Sequence, residues 1–222
     1  MIELKDITKE YQTNASEKVK ALDNINITVK EGELVVLKGS SGSGKSTILS
    51  LIAALSKPTS GEVVIDGERI SKLPDNFASD FRRSHIGFVF QKYNLIPTLS
   101  VEENIILPLI PMNLSQDEIS DKLQRVLKIF HIEHKKNHLV KNLSGGEQQR
   151  TAIARANINT PKIILADEPT ANLDEKLSLA FIDILRELKE EGKTVIVATH
   201  DPLFFGLGIV DKEIEISRGV IV

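Results

Sequence analysis

The run Gly39-Ser40-Ser41-Gly42-Ser43-Gly44-Lys45-Ser46 follows the pattern G-x-x-x-x-G-K-[ST], and Thr47 continues it. Its glycines let the backbone curl so that successive N–H groups face inward, a geometry that cradles a polyphosphate. On this reading Lys45 reaches the β- and γ-phosphates and the Ser46 hydroxyl ligates Mg²⁺. A second constellation is Asp167-Glu168, directly after Ile163-Ile164-Leu165-Ala166. Two carboxylates at the carboxyl end of a buried strand stand where open α/β sheets bind ligands. Asp167 fits a Mg²⁺ ligand, directly or through water, and Glu168 fits the acceptor that positions and polarises an attacking water. A third is Leu143-Ser144-Gly145-Gly146-Glu147-Gln148-Gln149-Arg150, where Ser144 and Glu147 form a capping box. Gly145 and Gly146 leave the first N–H groups of that helix open, so the segment is a second anion site. One phosphate loop has no use for a second phosphate-binding helix end unless that end serves the nucleotide of another copy.

Elements must hold these groups in place. Leu34 to Leu37 is a continuous apolar run before the phosphate loop, as expected of a strand buried on both faces, and a helix is predicted after the loop. Ile2 and Leu4, then Ile25, Ile27 and Val29, alternate with polar residues as half-buried strands do. Val63-Val64-Ile65 followed by Asp66-Gly67 predicts a tight hairpin in an antiparallel edge region, and Arg218-Gly219 predicts another turn. Ile86 to Phe90 is a further strand, ending at Gln91.

After Gln91 the spacing becomes helical. Ser115 and Glu118 make a capping box, with Ile119, Leu123, Val126, Leu127 and Phe130 on one face. The expected organisation is one domain, 1–222: a core with an antiparallel β subdomain from 1–91 and 161–222, and an inserted helical subdomain at 92–160. Ile163 to Ala166 and Thr194 to Thr199 read as buried strands, with an amphipathic helix from Glu175 to Glu191 between them. Strands alternating with helices predict an α/β protein with a mostly parallel sheet.

Composition narrows the classes. The 222 residues, 41% hydrophobic and 27% charged, describe an ordinary globular protein. A net charge of −3 gives no electrostatic reason to expect nucleic acid. With no cysteine, disulfides and thiolate metal sites are excluded. The start, MIELKDITKE, lacks the basic head and apolar body of a signal peptide, so a cytoplasmic location is expected. The most apolar stretch, Ile105 to Met112, is broken by Pro108 and Pro111 and is far shorter than a membrane span. Membrane contact is therefore expected only through a partner.

The phosphate loop, LSGGEQQR and ILADEP together resemble the ATP-binding cassette (ABC) family over essentially the whole chain. The resemblance implies a P-loop NTPase core with ATP and Mg²⁺ as cofactors and ATP hydrolysis as the activity. It implies that Tyr11 stacks on adenine, that Gln91 touches Mg²⁺ and the attacking water, and that His200 contacts the γ-phosphate and holds Glu168. By the same resemblance Ser144, Gly145 and Gly146 contact the γ-phosphate of a partner copy's ATP in a homodimer, and Asn172-Leu173-Asp174 crosses the dimer interface; Ala171 stands where the nearest relatives carry glycine. Within the family, IGFVFQKYNLIPTLSVEENI and ADEPTANLD are similar to the ATPase subunits of lipoprotein-releasing and macrolide-export systems. That implies an integral membrane permease docked near Gln91 and Tyr93 to Val101, with the chain peripheral on the cytoplasmic face of the membrane. The alternative is a soluble, non-transport ATPase of the same superfamily; such chains carry long coiled coils or tandem cassettes. A P-loop GTPase or nucleotide kinase is disfavoured by LSGGEQQR and by the lack of an N-K-x-D motif.

Overall fold

The computed structural model describes residues 1–14, 17–171 and 173–222. Two long strands, β1 (Ile2–Asn14) and β2 (Glu17–Val29), open the chain, and β3 (Leu34–Lys38) runs into the phosphate loop and α1 (Lys45–Ile52). Next come β4 (Ser60–Ile65), β5 (Glu68–Arg69), α2 (Asp75–His85) and β6 (Ile86–Val89). Three helices follow, α3 (Val101–Ile106), α4 (Gln116–Ile129) and α5 (Gly145–Asn157), linked by short 3-10 turns. The chain closes with β7 (Ile163–Asp167), α6 (Glu175–Glu190), β8 (Thr194–Thr199), β9 (Lys212–Ser217) and β10 (Val220–Ile221).

One sheet is antiparallel with order β2-β1-β4-β5, and the other has order β10-β9-β3-β8-β7-β6. In the second, β6, β7, β8, β3 and β9 pair in parallel and only β10 runs against its neighbour. The fold is thus α/β, a mostly parallel P-loop core joined to an antiparallel sheet and a group of helices, as the sequence predicts.

The period of two along a strand explains why the central strands read as unbroken apolar runs. Leu34 and Val36, with Ile164, Ala166, Val195 and Val197, face one core shared with residues of α3, α4, α5 and α6. Val35 and Leu37, with Ile163, Leu165, Ile196 and Ala198, face a second core shared with α1 and the antiparallel sheet. Asp66 and Gly67 both take positive φ, 50° and 84°, as the tight turn between β4 and β5 requires.

Helix α2 is not anticipated by the sequence reading. Only Ala78 and Phe81 of its eleven residues are buried, so it presents almost no apolar stripe. Asn172 of the expected interface loop lies outside the described residues. Among the described residues no helix is long and apolar enough to cross a membrane.

Candidate functional site

The phosphate loop leaves β3 through three glycines at positive φ: Gly39 at 152°, Gly42 at 78° and Gly44 at 111°. Two of them are fixed by close backbone approach as well. A Cβ on Gly39 would sit 2.2 Å from the Ile216 carbonyl oxygen; one on Gly44 would meet Leu22 Cδ2 at 2.7 Å and the Ala21 carbonyl at 2.8 Å. The loop is also bonded to the far end of the chain. Gly219 N–H donates to the Ser43 carbonyl at 2.9 Å, and Asp23 N–H donates to the Gly219 carbonyl at 2.8 Å. Residues from β2 and from the turn after β9 thus form the floor of the loop.

Lys45 is 4% exposed, and its Nζ donates to the Gly39 carbonyl at 2.6 Å and the Ser40 carbonyl at 3.0 Å. The same ammonium lies 3.4 Å from Glu168 Oε1. Glu168 is held from the other side by His200, whose Nδ1 is 3.0 Å from Oε2 and whose backbone N–H donates to that oxygen at 3.3 Å. Glu168 adopts a left-handed φ of 43°, fixed by its own N–H donating to the Ala198 carbonyl at 2.8 Å. A non-glycine residue in this region stores strain, and strain of this kind concentrates at reacting positions.

Ser46 Oγ donates to Asp167 Oδ1 at 2.8 Å. Burial pushes the Asp167 carboxyl above its ordinary range and the Glu168 charge adds to this, while the Ser46 bond and Lys45 oppose it. Ser41 to Thr47, Gln91, Glu168 and His200, with Ala21, line one cavity of about 200 Å³. Gly39 and Ser40 open onto a neighbouring cavity with Lys38, His200, Phe205 and Glu215.

The donor set suits a magnesium polyphosphate. Ser43 Oγ is buried with no hydrogen-bond partner, a donor in want of an acceptor, within a loop of glycines and one ammonium. A hydroxyl and a carboxylate in mutual contact at Ser46 and Asp167 are the hard oxygen ligands Mg²⁺ takes.

Other expected residues stand apart. Tyr11 on β1 is 42% exposed and lines neither cavity; Lys9 Nζ sits over its ring at 4.9 Å, so one face of the ring is already covered. Ser144, Gly145 and Gly146 also lie outside both cavities. Ser144 caps α5: its Oγ accepts from Glu147 N–H at 3.4 Å, and its own N–H donates to Glu147 Oε2 at 2.8 Å. A Cβ on Gly146 would meet Leu177 Cδ2 at 2.8 Å, so that glycine lets α5 approach α6 closely.

The sequence reading missed several supporting groups. Gln149 Nε2 donates to the Pro169 carbonyl at 3.0 Å in the buried interior. Thr170 Oγ1 donates to Asp201 Oδ2 at 2.7 Å, tying the segment after Glu168 to the segment after His200. S-x-x-E was the signal available for a third capping box, Ser100 with Glu103, which starts α3.

The family model described as ABC transporter matches residues 22–171. The chain belongs to the ABC transporter family. Its ABC relatives include the ABC transporter ATP-binding protein MJ0796 of Methanocaldococcus jannaschii, 49% identical over 206 residues, or 90% of this chain and 87% of that protein. The macrolide export ATP-binding/permease protein MacB of Hyphomonas neptunium is 43% identical over 202 residues, covering 90% of this chain and 31% of that longer protein. Among solved structures, the dimeric post-hydrolysis state of the MJ0796 ATP-binding cassette bound to ADP and Pi superposes with a TM-score of 0.91 at 44% identity. That match covers 100% of this chain and 96% of that one. The chain is accordingly an ABC ATPase of the macrolide-export-like group.

Proposed function

We propose that this ABC ATPase powers an export-type transporter by closing head to tail with a second copy around two ATP molecules. The observation that carries the proposal is an asymmetry. Lys45, Ser46, Gln91, Glu168 and His200 converge on one cleft, while the capped, glycine-opened helix end at Ser144 stands outside it. In this reading a ligand gripped by both lies between two chains. The dimer formed by MJ0796 in its post-hydrolysis state supports the same reading.

In this reading Lys45 exchanges its bonds to the Gly39 and Ser40 carbonyls for phosphate oxygens, and Tyr11 offers its free face to adenine. Ser46, Asp167 and Gln91 would hold Mg²⁺, which when bound would supply positive charge to offset that of the phosphates. Glu168, fixed between Lys45 and His200, orients water for in-line attack, and His200 and Lys45 face the γ-phosphate. Ser144, Gly145 and Gly146 complete the site from the partner copy. Loss of the γ-phosphate removes the bridging charge and reopens the pair. The permease would dock on the cytoplasmic side, near Gln91 and residues 93–101; the MacB relatives, which join an ATP-binding part to a permease, support that partner.

The test is Glu168→Gln with Mg·ATP, followed by light scattering and steady-state turnover. Turnover falls by about 10³-fold or more and a dimer accumulates. A folded Glu168→Gln chain that stays monomeric at saturating Mg·ATP sinks the head-to-tail scheme. Co-purification of a multi-spanning membrane protein tests the permease separately.

A further inference from the structure

The loop after Gln91 has an unfavourable backbone shape, and a side chain from α5 bonds it from outside. Tyr93 and Asn94 are consecutive non-glycine residues at left-handed φ, 57° and 48°. Local bonds, Tyr93 N–H to the Phe90 carbonyl at 2.8 Å and Asn94 N–H to the Lys92 carbonyl at 2.6 Å, close the turn. Two such residues in a row cost free energy that something outside the turn must offset. The outside group is Arg155 on α5, whose Nη1 donates to the Asn94 carbonyl at 2.6 Å and whose Nη2 donates to the Tyr93 carbonyl. Among the described residues no carboxylate pairs with this guanidinium, so its charge is directed at the two backbone dipoles. A planar fork suits two adjacent carbonyls in a way that a lysine ammonium does not.

Helix α5 therefore has three attachments. Its first residues follow Ser144; Gln149 holds the Pro169 carbonyl, one residue after Glu168; and Arg155 holds the loop two residues after Gln91. From Gln149 to Arg155 the helix rises about 9 Å, and no proline or glycine interrupts it there.

We propose that Arg155 is a positioning residue: it latches the Gln91 loop to α5, so that capture of a partner's nucleotide at Ser144 and placement of Gln91 in the chain's own cleft are governed by one rigid rod. The proposal rests on the head-to-tail reading above for its link to Ser144, and on geometry alone for the latch.

The test compares Arg155→Met, Arg155→Lys and the double variant Arg155→Met/Asn94→Gly with the unaltered chain. Three readouts apply: thermal melting, hydrogen exchange of residues 91–95 without nucleotide, and kcat and KM for Mg·ATP. In Arg155→Met, exchange at Tyr93 and Asn94 accelerates about tenfold while β3 and α1 stay protected. Its kcat falls between about tenfold and a hundredfold, with KM within about twofold, because the phosphate loop is untouched. Arg155→Lys behaves like Arg155→Met. Asn94→Gly, which accepts the left-handed turn without strain, restores several-fold of the lost turnover.

Wild-type exchange at 91–95 together with near-normal kcat in folded Arg155→Met overturns the proposal, as does a rise in KM with kcat unchanged. Should Arg155→Met melt below the assay temperature, Arg155→Lys decides: a folded lysine variant with wild-type exchange and turnover also overturns it. Failure of the head-to-tail reading shows separately, as absence of a Glu168→Gln dimer, and leaves the exchange result intact.

Discussion

At Glu168 the carboxylate proposed to orient the attacking water is carried by a residue in the left-handed region, gripped by Lys45 on one side and His200 on the other. The type and spacing of these residues were legible because they obey chemistry that has few solutions: glycines where backbone must curl, an ammonium for phosphate, a carboxylate at a strand end. Gln149 and Arg155 were not legible, since each bonds a backbone carbonyl and any residue can supply one. Two predictions belong at this scale. Gly39→Ala places a Cβ against the Ile216 carbonyl, which cannot retreat as a side chain could. It lowers stability by about 1–3 kcal/mol and weakens nucleotide binding more than tenfold, as read by denaturant unfolding and equilibrium titration. Gln149→Leu strands the buried Pro169 carbonyl and costs about 1–3 kcal/mol in the same unfolding assay; a change within 0.5 kcal/mol, about the scatter of surface substitutions, contradicts the tether.

Among the elements, the central strands were readable from apolar runs and α4, α5 and α6 from caps and spacing. Helix α2 was not, because two buried residues do not make a period. Three helices, α3, α4 and α5, start with the same device, a serine N-cap and a glutamate at N3. In each, the serine backbone N–H bonded to the carboxylate is the main reason the glutamate pKa lies below its ordinary value. A depressed acid contributes stability when ionised. The contribution is present above the ordinary glutamate range and is lost as pH falls through it. The triple change Glu103→Gln, Glu118→Gln and Glu147→Gln therefore flattens the acid limb of stability against pH, measured as denaturant midpoints at neutral pH and near pH 4. Equal acid slopes in the two proteins would remove the caps from the account. Exposure of these carboxylates keeps each effect small.

For the whole molecule, the proposed head-to-tail pairing makes each site a property of two chains, since Ser144 lies outside the cleft of its own chain. Lys45→Ala removes the phosphate ammonium; Ser144→Asp keeps a good N-cap but sets a negative charge against a partner's γ-phosphate. Each variant alone forms only defective sites. Mixed in equal amounts, about half of the pairs combine one of each and regain one complete site, so ATPase activity reappears on mixing. Additive, unrescued activity argues that a chain works alone. The sequence marks two candidate anion sites, but not that Ser144 lies outside the cleft lined by the phosphate loop, because relative placement depends on packing across two cores. A last consequence follows from the bonds that tie Ser43 to Gly219 and set Gly39 against Ile216. Ribosomes deliver the amino end first, so residues 39–46 emerge long before the stretch that seats them. ATP therefore cannot template the growing polypeptide; stalled nascent chains ending before residue 212 will fail to retain nucleotide on a filter, whereas chains extended past 219 outside the exit tunnel will hold it.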